Sequence, residues 1–139
     1  MKKIPFVLFI LLSVSIFSCG NKKSQNELLQ EQVILVHDDV MPKIGSLKSR
    51  QEKLNKKAES LEKSEESVES QKLIADLRAT AEECGNAYDE MFVWMRQYEI
   101  DLEEMSDEDA KIYLEDQLVK VEKVKALILQ ALEKSETLL

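Results

Sequence analysis

The sequence predicts an all-α protein, built as an up-down-up antiparallel three-helix bundle with coiled-coil-like packing. Three observations carry that expectation. Apolar residues return every three or four positions along three long stretches. Glycine and proline, the strongest helix punctuators, number only three and two in 139 residues. Short polar tracts rich in helix-capping residues separate the stretches. Short connections make consecutive helices antiparallel, and three amphipathic helices can share one core where a single one cannot bury its own face. Heptads alone do not fix the number of strands, so a dimeric or extended coiled coil is the competing architecture.

The first element is the N-terminal run. Met1-Lys2-Lys3 precedes an apolar stretch from Ile4 to Phe17, the layout of a cleaved secretory signal. From Ile4 to Ser18 is 15 residues. As a helix this rises about 22 Å, short of the ~30 Å hydrocarbon core of a bilayer. The stretch Ile16-Phe17-Ser18-Cys19 resembles a bacterial lipobox, with a branched apolar residue at −3, a small residue at −1 and then cysteine. Phe17 stands where a smaller residue is commoner. The resemblance implies that Cys19 becomes the first mature residue, carrying a diacylglyceryl thioether and a fatty acid such as palmitate on its amine. Several acyl chains anchor stably where one is marginal. Gly20 replaces the Asp that retains enterobacterial lipoproteins in the inner membrane, and no acidic cluster follows Cys19. By the same resemblance, the expected location is the outer membrane, facing the periplasm. The chain then divides into a signal peptide (1–18), a lipidated cysteine with a short linker (19–26) and a helical bundle (27–139). The linker Gly20–Asn26 reaches at most about 24 Å when extended, which keeps the bundle close to the membrane.

Three helices follow, over about 27–63, 70–98 and 107–136. The first carries Val33, Val40, Leu47, Leu54, Leu61 and Val68 at sevenfold spacing, with Leu29, Val36, Ile44 and Ala58 widening the stripe. The second carries Ile74, Leu77, Ala81, Cys84, Tyr88, Met91, Met95 and Tyr98. The third carries Leu114, Leu118, Val121, Val124, Ile128, Ala131 and Leu132. Asn26 is the expected cap of the first helix, with Glu27 in its first turn. The tract Ser64–Ser70 suits a turn that takes in Val68, and residues 99–105 form a connector. Ser106-Asp107-Glu108-Asp109 is a strong helix start. Within the first helix, Pro42 removes a hydrogen bond and crowds the Asp38 carbonyl at a cost of about 3 kcal/mol, and Gly45 adds about 1 kcal/mol. Because the stripe stays in phase from Val40 to Leu47, the first helix is expected to be kinked or split near Pro42.

Charge narrows the partners. The formal net charge is −8, and becomes −10 once Lys2 and Lys3 are removed with the signal. Nucleic-acid binding needs a basic footprint and is excluded on this ground. Residues 43–63 hold seven Lys/Arg and three Glu, whereas 65–109 hold three Lys/Arg and fifteen Asp/Glu. Antiparallel packing therefore sets the basic half of the first helix beside an acidic second helix. Exposed pairs contribute only about 0–1 kcal/mol each, so they bear on register more than on stability. Lys43, Arg50 and Lys57, seven apart along one edge of the first helix, form a candidate partner surface for an acidic or phosphate-bearing molecule, or meet acids of the second helix.

The stretch His37–Gly45 (HDDVMPKIG), followed by a Lys-rich helix and later by MFVWMRQYE over 91–99, resembles small uncharacterised lipoproteins of Bacteroidota. Some of these carry the label "viral A-type inclusion protein", which reflects coiled-coil character. The resemblance covers most of the mature chain and implies a shared helical fold without supplying an activity. A metal site is a sharper expectation. His37 and Met41 share a helix face, as do Met91 and Met95, and thioethers with an imidazole suit Cu(I). Against it, methionines at heptad spacing are more often packing residues. The chain has one His and no P-loop, HExxH or GxSxG motif, so no enzyme chemistry and no resident cofactor beyond the lipid at Cys19 are expected. The leading expectation is a lipid-anchored, non-enzymatic envelope protein that binds or spaces an unidentified envelope partner. The alternatives are a periplasmic copper-binding lipoprotein and a holdase-like envelope stress protein.

Overall fold

The computed structural model describes residues 23–64 and 67–139. The signal segment, Cys19, Glu65 and Glu66 lie outside the described residues. The described chain is an all-α bundle without strands. Helix α1 spans Gln25–Val40, a 3-10 turn covers Met41–Lys43, α2 spans Ile44–Ser64, α3 Val68–Gln97 and α4 Asp107–Leu138. Among the described residues, no helix is long and apolar enough to cross a membrane.

Helix α1 starts two residues earlier than expected, and Ser24 caps it instead of Asn26. The Ser24 hydroxyl accepts from the Glu27 N–H while the Glu27 carboxylate accepts from the Ser24 N–H, a reciprocal capping box. Asn26, already inside the helix, donates from its side chain to the Asp107 carbonyl at the start of α4, 2.9 Å away. The span from Cys19 to the cap shrinks to five residues, about 17 Å when extended.

The break at Pro42 is local. Met41 keeps its N–H bonded to the His37 carbonyl, and Ile44 bonds to Met41 in 3-10 fashion. Proline has no N–H to donate, and the Lys43 ammonium reaches back to the Asp39 carbonyl at 2.7 Å. The packing partner changes across this turn: α1 lies chiefly against α4, α2 chiefly against α3, and α3 and α4 lie against each other.

Helix α3 is capped by Ser67, whose side chain accepts from the Ser70 N–H. Val68 is therefore the first helical residue, and it is exposed. Ser106 caps α4 as expected, accepting from the Asp109 N–H at 3.2 Å and donating to its carboxylate at 2.7 Å. Between α3 and α4, residues 98–106 form the connector, closed by a bond from the Met105 N–H to the Leu102 carbonyl.

The core gathers Val33, Val40, Leu47, Leu54, Leu77 and Met91 with Cys84, Trp94, Val121, Ile128 and neighbouring alanines. Every apolar residue of this cluster, including those half-buried against it, lies between Val33 and Leu138. At about 25 cal/mol per Å2 of buried apolar area, each large side chain contributes about 1.5–3 kcal/mol. The stripe of α3 needs one correction. Met95 is exposed, and Trp94 takes its place in the core. The step runs Met91, Trp94, Tyr98 rather than Met91, Met95, Tyr98. Because α3 packs on both α2 and α4, its buried face is also wider than one heptad stripe and takes in Thr80, Gly85 and Ala87. At Gly85 an added Cβ would meet the end of the Gln51 side chain on α2.

Candidate functional site

The end of the bundle where the N-terminal residues enter is built from the start of α1, the end of α3, the connector and the start of α4. An aromatic file runs through it. The His37 ring lies 5.7 Å from Trp94, Trp94 lies 5.0 Å from Tyr98, and Tyr98 lies 6.3 Å from Tyr113. Polar bonds tie the file to the connector. The Tyr113 hydroxyl accepts from the Glu99 N–H at 2.6 Å, and the Gln30 amide donates to the Ile100 carbonyl at 2.8 Å. The Trp94 indole N–H donates to the Gln117 side-chain carbonyl at 3.0 Å, both residues being buried. Among the described residues, the buried Tyr98 hydroxyl finds no partner at hydrogen-bonding geometry. Burial raises its pKa, and the nearby Gln30 side chain offsets part of that rise.

Beside this file, α1 and the connector enclose an open groove of about 580 Å3. Ile34, Leu35 and Ile100 form its apolar wall, and Lys23, Glu27 and Glu31 its charged rim. Lys23 and Glu31 are ion-paired across the rim. Leu35 and Ile100 are 67% and 70% exposed.

The four residues of the expected metal site occupy different environments. Met91 is fully buried in the core, Met41 is half-buried against it, and Met95 points outward. His37 is half-buried with its Nδ1 2.9 Å from an Asp38 carboxylate oxygen. Among the described residues, no group of three or more His, Cys, Asp or Glu is placed to hold a metal ion.

The residues of the expected partner surface have intramolecular neighbours. Lys43 bonds to Asp39 in the preceding turn. Arg50 stands 3.8 Å from Glu136, and the Lys57 ammonium donates to the Leu138 carbonyl at 2.6 Å. The acids and carbonyls they meet belong to α1 and α4, not to α3. The charge pairing of α2 with α3 also differs from the expected polarity. Among the described residues, the ion pair joining them is Glu62 with Arg78, at 2.7 Å and two-pronged, with the acid on α2. Lys48 instead lies 4.7 Å over the Tyr88 ring, a cation–π contact. Lys125 of α4 bonds to Asp39 at 2.6 Å. That hydrogen bond, with the Lys125 and Lys43 charges, holds the Asp39 carboxyl below the usual carboxylate range.

Cys84 is buried, with its thiol directed at the Ala131 carbonyl 3.8 Å away. Burial raises its pKa, against a smaller lowering by Ser135 and Arg50. A thiol in such a site is a packing residue rather than a nucleophile.

Sequence reasoning passed over Gln117 and Ile100. Gln117 sits three residues after Leu114 and four before Val121, a polar residue in core register. That phase marks a buried amide in need of a partner. Ile100 carries no periodic signal, because it lies in the connector.

Comparisons with protein-family models, curated proteins and solved structures find no match to this chain.

Proposed function

We propose that this chain is a lipid-anchored envelope protein whose helical bundle acts by binding or spacing, without catalysis. The observation that carries the reading is the apolar run closing at Ile16-Phe17-Ser18-Cys19, five residues before the Ser24 cap. A tether of about 17 Å keeps the groove end of the bundle near the bilayer. The expected location is the periplasmic face of the outer membrane. The bundle is up-down-up and antiparallel, with its first rod interrupted at Pro42. Supporting this, Glu62 pairs with Arg78, Gln51 faces Gly85 and His37 meets Trp94, so partner numbers on α3 rise as those on α1 and α2 fall. The pairs Asn26 with Asp107, Asp39 with Lys125 and Arg50 with Glu136 rise together, as parallel first and last rods require.

Metabolic labelling with a fatty acid tests the anchor. Labelling and membrane association are expected in the wild type, and both are expected to be lost in Cys19→Ser. Labelling that persists in Cys19→Ser, or a wild-type chain free in solution with an unmodified thiol, would refute the reading.

A further inference from the structure

We propose that the hollow between α2 and the end of α4 binds a phosphate group, with Arg50 and Lys53 supplying positive charge and Ser46 and Ser49 supplying hydroxyl donors. The hollow measures about 530 Å3 and is lined by those four residues and Leu139. Helical spacing places them together. Ser46, Ser49, Arg50, Lys53 and Lys57 follow at steps of three and four along one flank of α2. None of Arg50, Lys53 and Lys57 has an acid of α2 three or four positions away. The flank is thus basic on a chain whose formal net charge is −8.

Its donors are unspent. Among the described residues, Lys53 makes no ion pair or hydrogen bond, and neither do the hydroxyls of Ser46 and Ser49. By contrast, Ser64, Ser135 and Thr137 bond back to carbonyls of their own helices. The acid beside Arg50 is Glu136, at 3.8 Å and with 78% of its side chain exposed, beyond hydrogen-bonding distance. Lys57, whose ammonium donates to the Leu138 carbonyl, adds its charge at the edge. Lys43 is engaged by Asp39 and takes no part. Two hydroxyls, a guanidinium and an ammonium around one hollow suit a group with three or four acceptor oxygens and more than one negative charge. Arg and Lys both recognise phosphate through charge-assisted hydrogen bonds. A soluble molecule and a lipid headgroup present the same chemistry, and the two arms of the test separate them. The site is independent of the anchor at Cys19.

The test uses the mature chain from residue 19 carrying Cys19→Ser, labelled with nitrogen-15 for NMR. The probe of the first arm is inorganic phosphate, titrated at constant ionic strength in sodium chloride. Saturable shifts of the amides of residues 46–53 are expected, with a Kd of about a millimolar or tighter. Lys53→Gln is expected to weaken binding at least about tenfold, and Ser49→Ala about threefold. Glu136→Gln removes the competing acid and is expected to tighten it about two- to fivefold. Lys63→Gln makes the same charge change elsewhere on α2 and is expected to leave it unchanged. All four substitutions fall at exposed positions, and circular dichroism checks that the helices persist. The second arm is co-sedimentation with phosphatidylcholine/phosphatidylglycerol vesicles. Co-sedimentation lost in Lys53→Gln assigns the phosphate to a headgroup; saturation by inorganic phosphate without vesicle binding assigns it to a soluble ligand. No response in either arm overturns the proposal, as does binding that Lys53→Gln leaves unchanged or that Lys63→Gln weakens equally.

Discussion

Replacing Gln117 with Leu removes its buried contact with Trp94 and the longer, part-buried bond from its amide to Asp116 at 3.3 Å, and gives a quantitative test of the core. The indole N–H of Trp94 is a donor only, so the Gln117 amide must present its oxygen to it, and the 3.0 Å contact has that sense. Both side chains are nearly inaccessible to water, with 6% and 4% of their surface exposed. Leucine fills a similar volume and offers no acceptor. The indole N–H is then left buried and unpaired, at a cost of about 1–3 kcal/mol. Removing the buried amide returns part of that, so the net loss is expected at about 1–2 kcal/mol. For a chain of this size this lowers Tm by about 3–10 °C. Trp94 is the sole tryptophan, so its fluorescence and the helical circular dichroism report urea unfolding of the same core. A double-mutant cycle with Trp94→Phe separates the bond from repacking, and a coupling of about 1 kcal/mol is expected. A Gln117→Leu protein as stable as the wild type, or a coupling near zero, would refute the pairing.

Three further expectations follow from the same geometry. Ser24→Ala removes the hydroxyl that accepts from the Glu27 N–H, while the backbone N–H at position 24 can still donate to the Glu27 carboxylate, and is expected to cost about 1 kcal/mol in urea melts, whereas Asn26→Ala, at an exposed bond, is expected to cost less; the reverse order would restore Asn26 as the cap. Asp39 has a depressed folded pKa, so its stabilising contribution is complete above the ordinary value of 3.8 and is lost as pH falls through the lower folded value; Lys125→Gln is expected to flatten the pH dependence of stability in that acidic window, and an unchanged profile would count against the pair. Titration of the mature chain with Cu(I) is expected to give no tight stoichiometric complex, because Met91 is held in the core while Met95 is exposed; stoichiometric binding lost in Met91→Leu/Met95→Leu would overturn this expectation.

The sequence by itself determined the helices and most of the buried face. Val33, Val40, Leu47 and Leu54 recur at seven, and all four are buried. That periodicity is a property of the backbone geometry, legible without any partner. The α4 start at Ser106 was equally local, since a cap needs only residues within one turn. The cap of α1 was misassigned for a related reason: Ser24 and Asn26 are both good caps, and the choice fell to the residue whose side chain and Glu27 could bond reciprocally.

Only the tertiary structure decided what depends on two surfaces meeting. Whether Met95 or Trp94 enters the core turns on how α3 is rotated between α2 and α4. The steps 91–95–98 and 91–94–98 are equally helical, and the Gln117 acceptor on another helix favours the second. The sign of the α2–α3 ion pair likewise follows from register, which places Glu62 against Arg78 although the average charges of the two helices suggest the opposite. The groove at Ile34, Leu35 and Ile100 was invisible for the same cause. A connector has no repeating pattern, and its side chains acquire neighbours only when the helices that it joins are set in place.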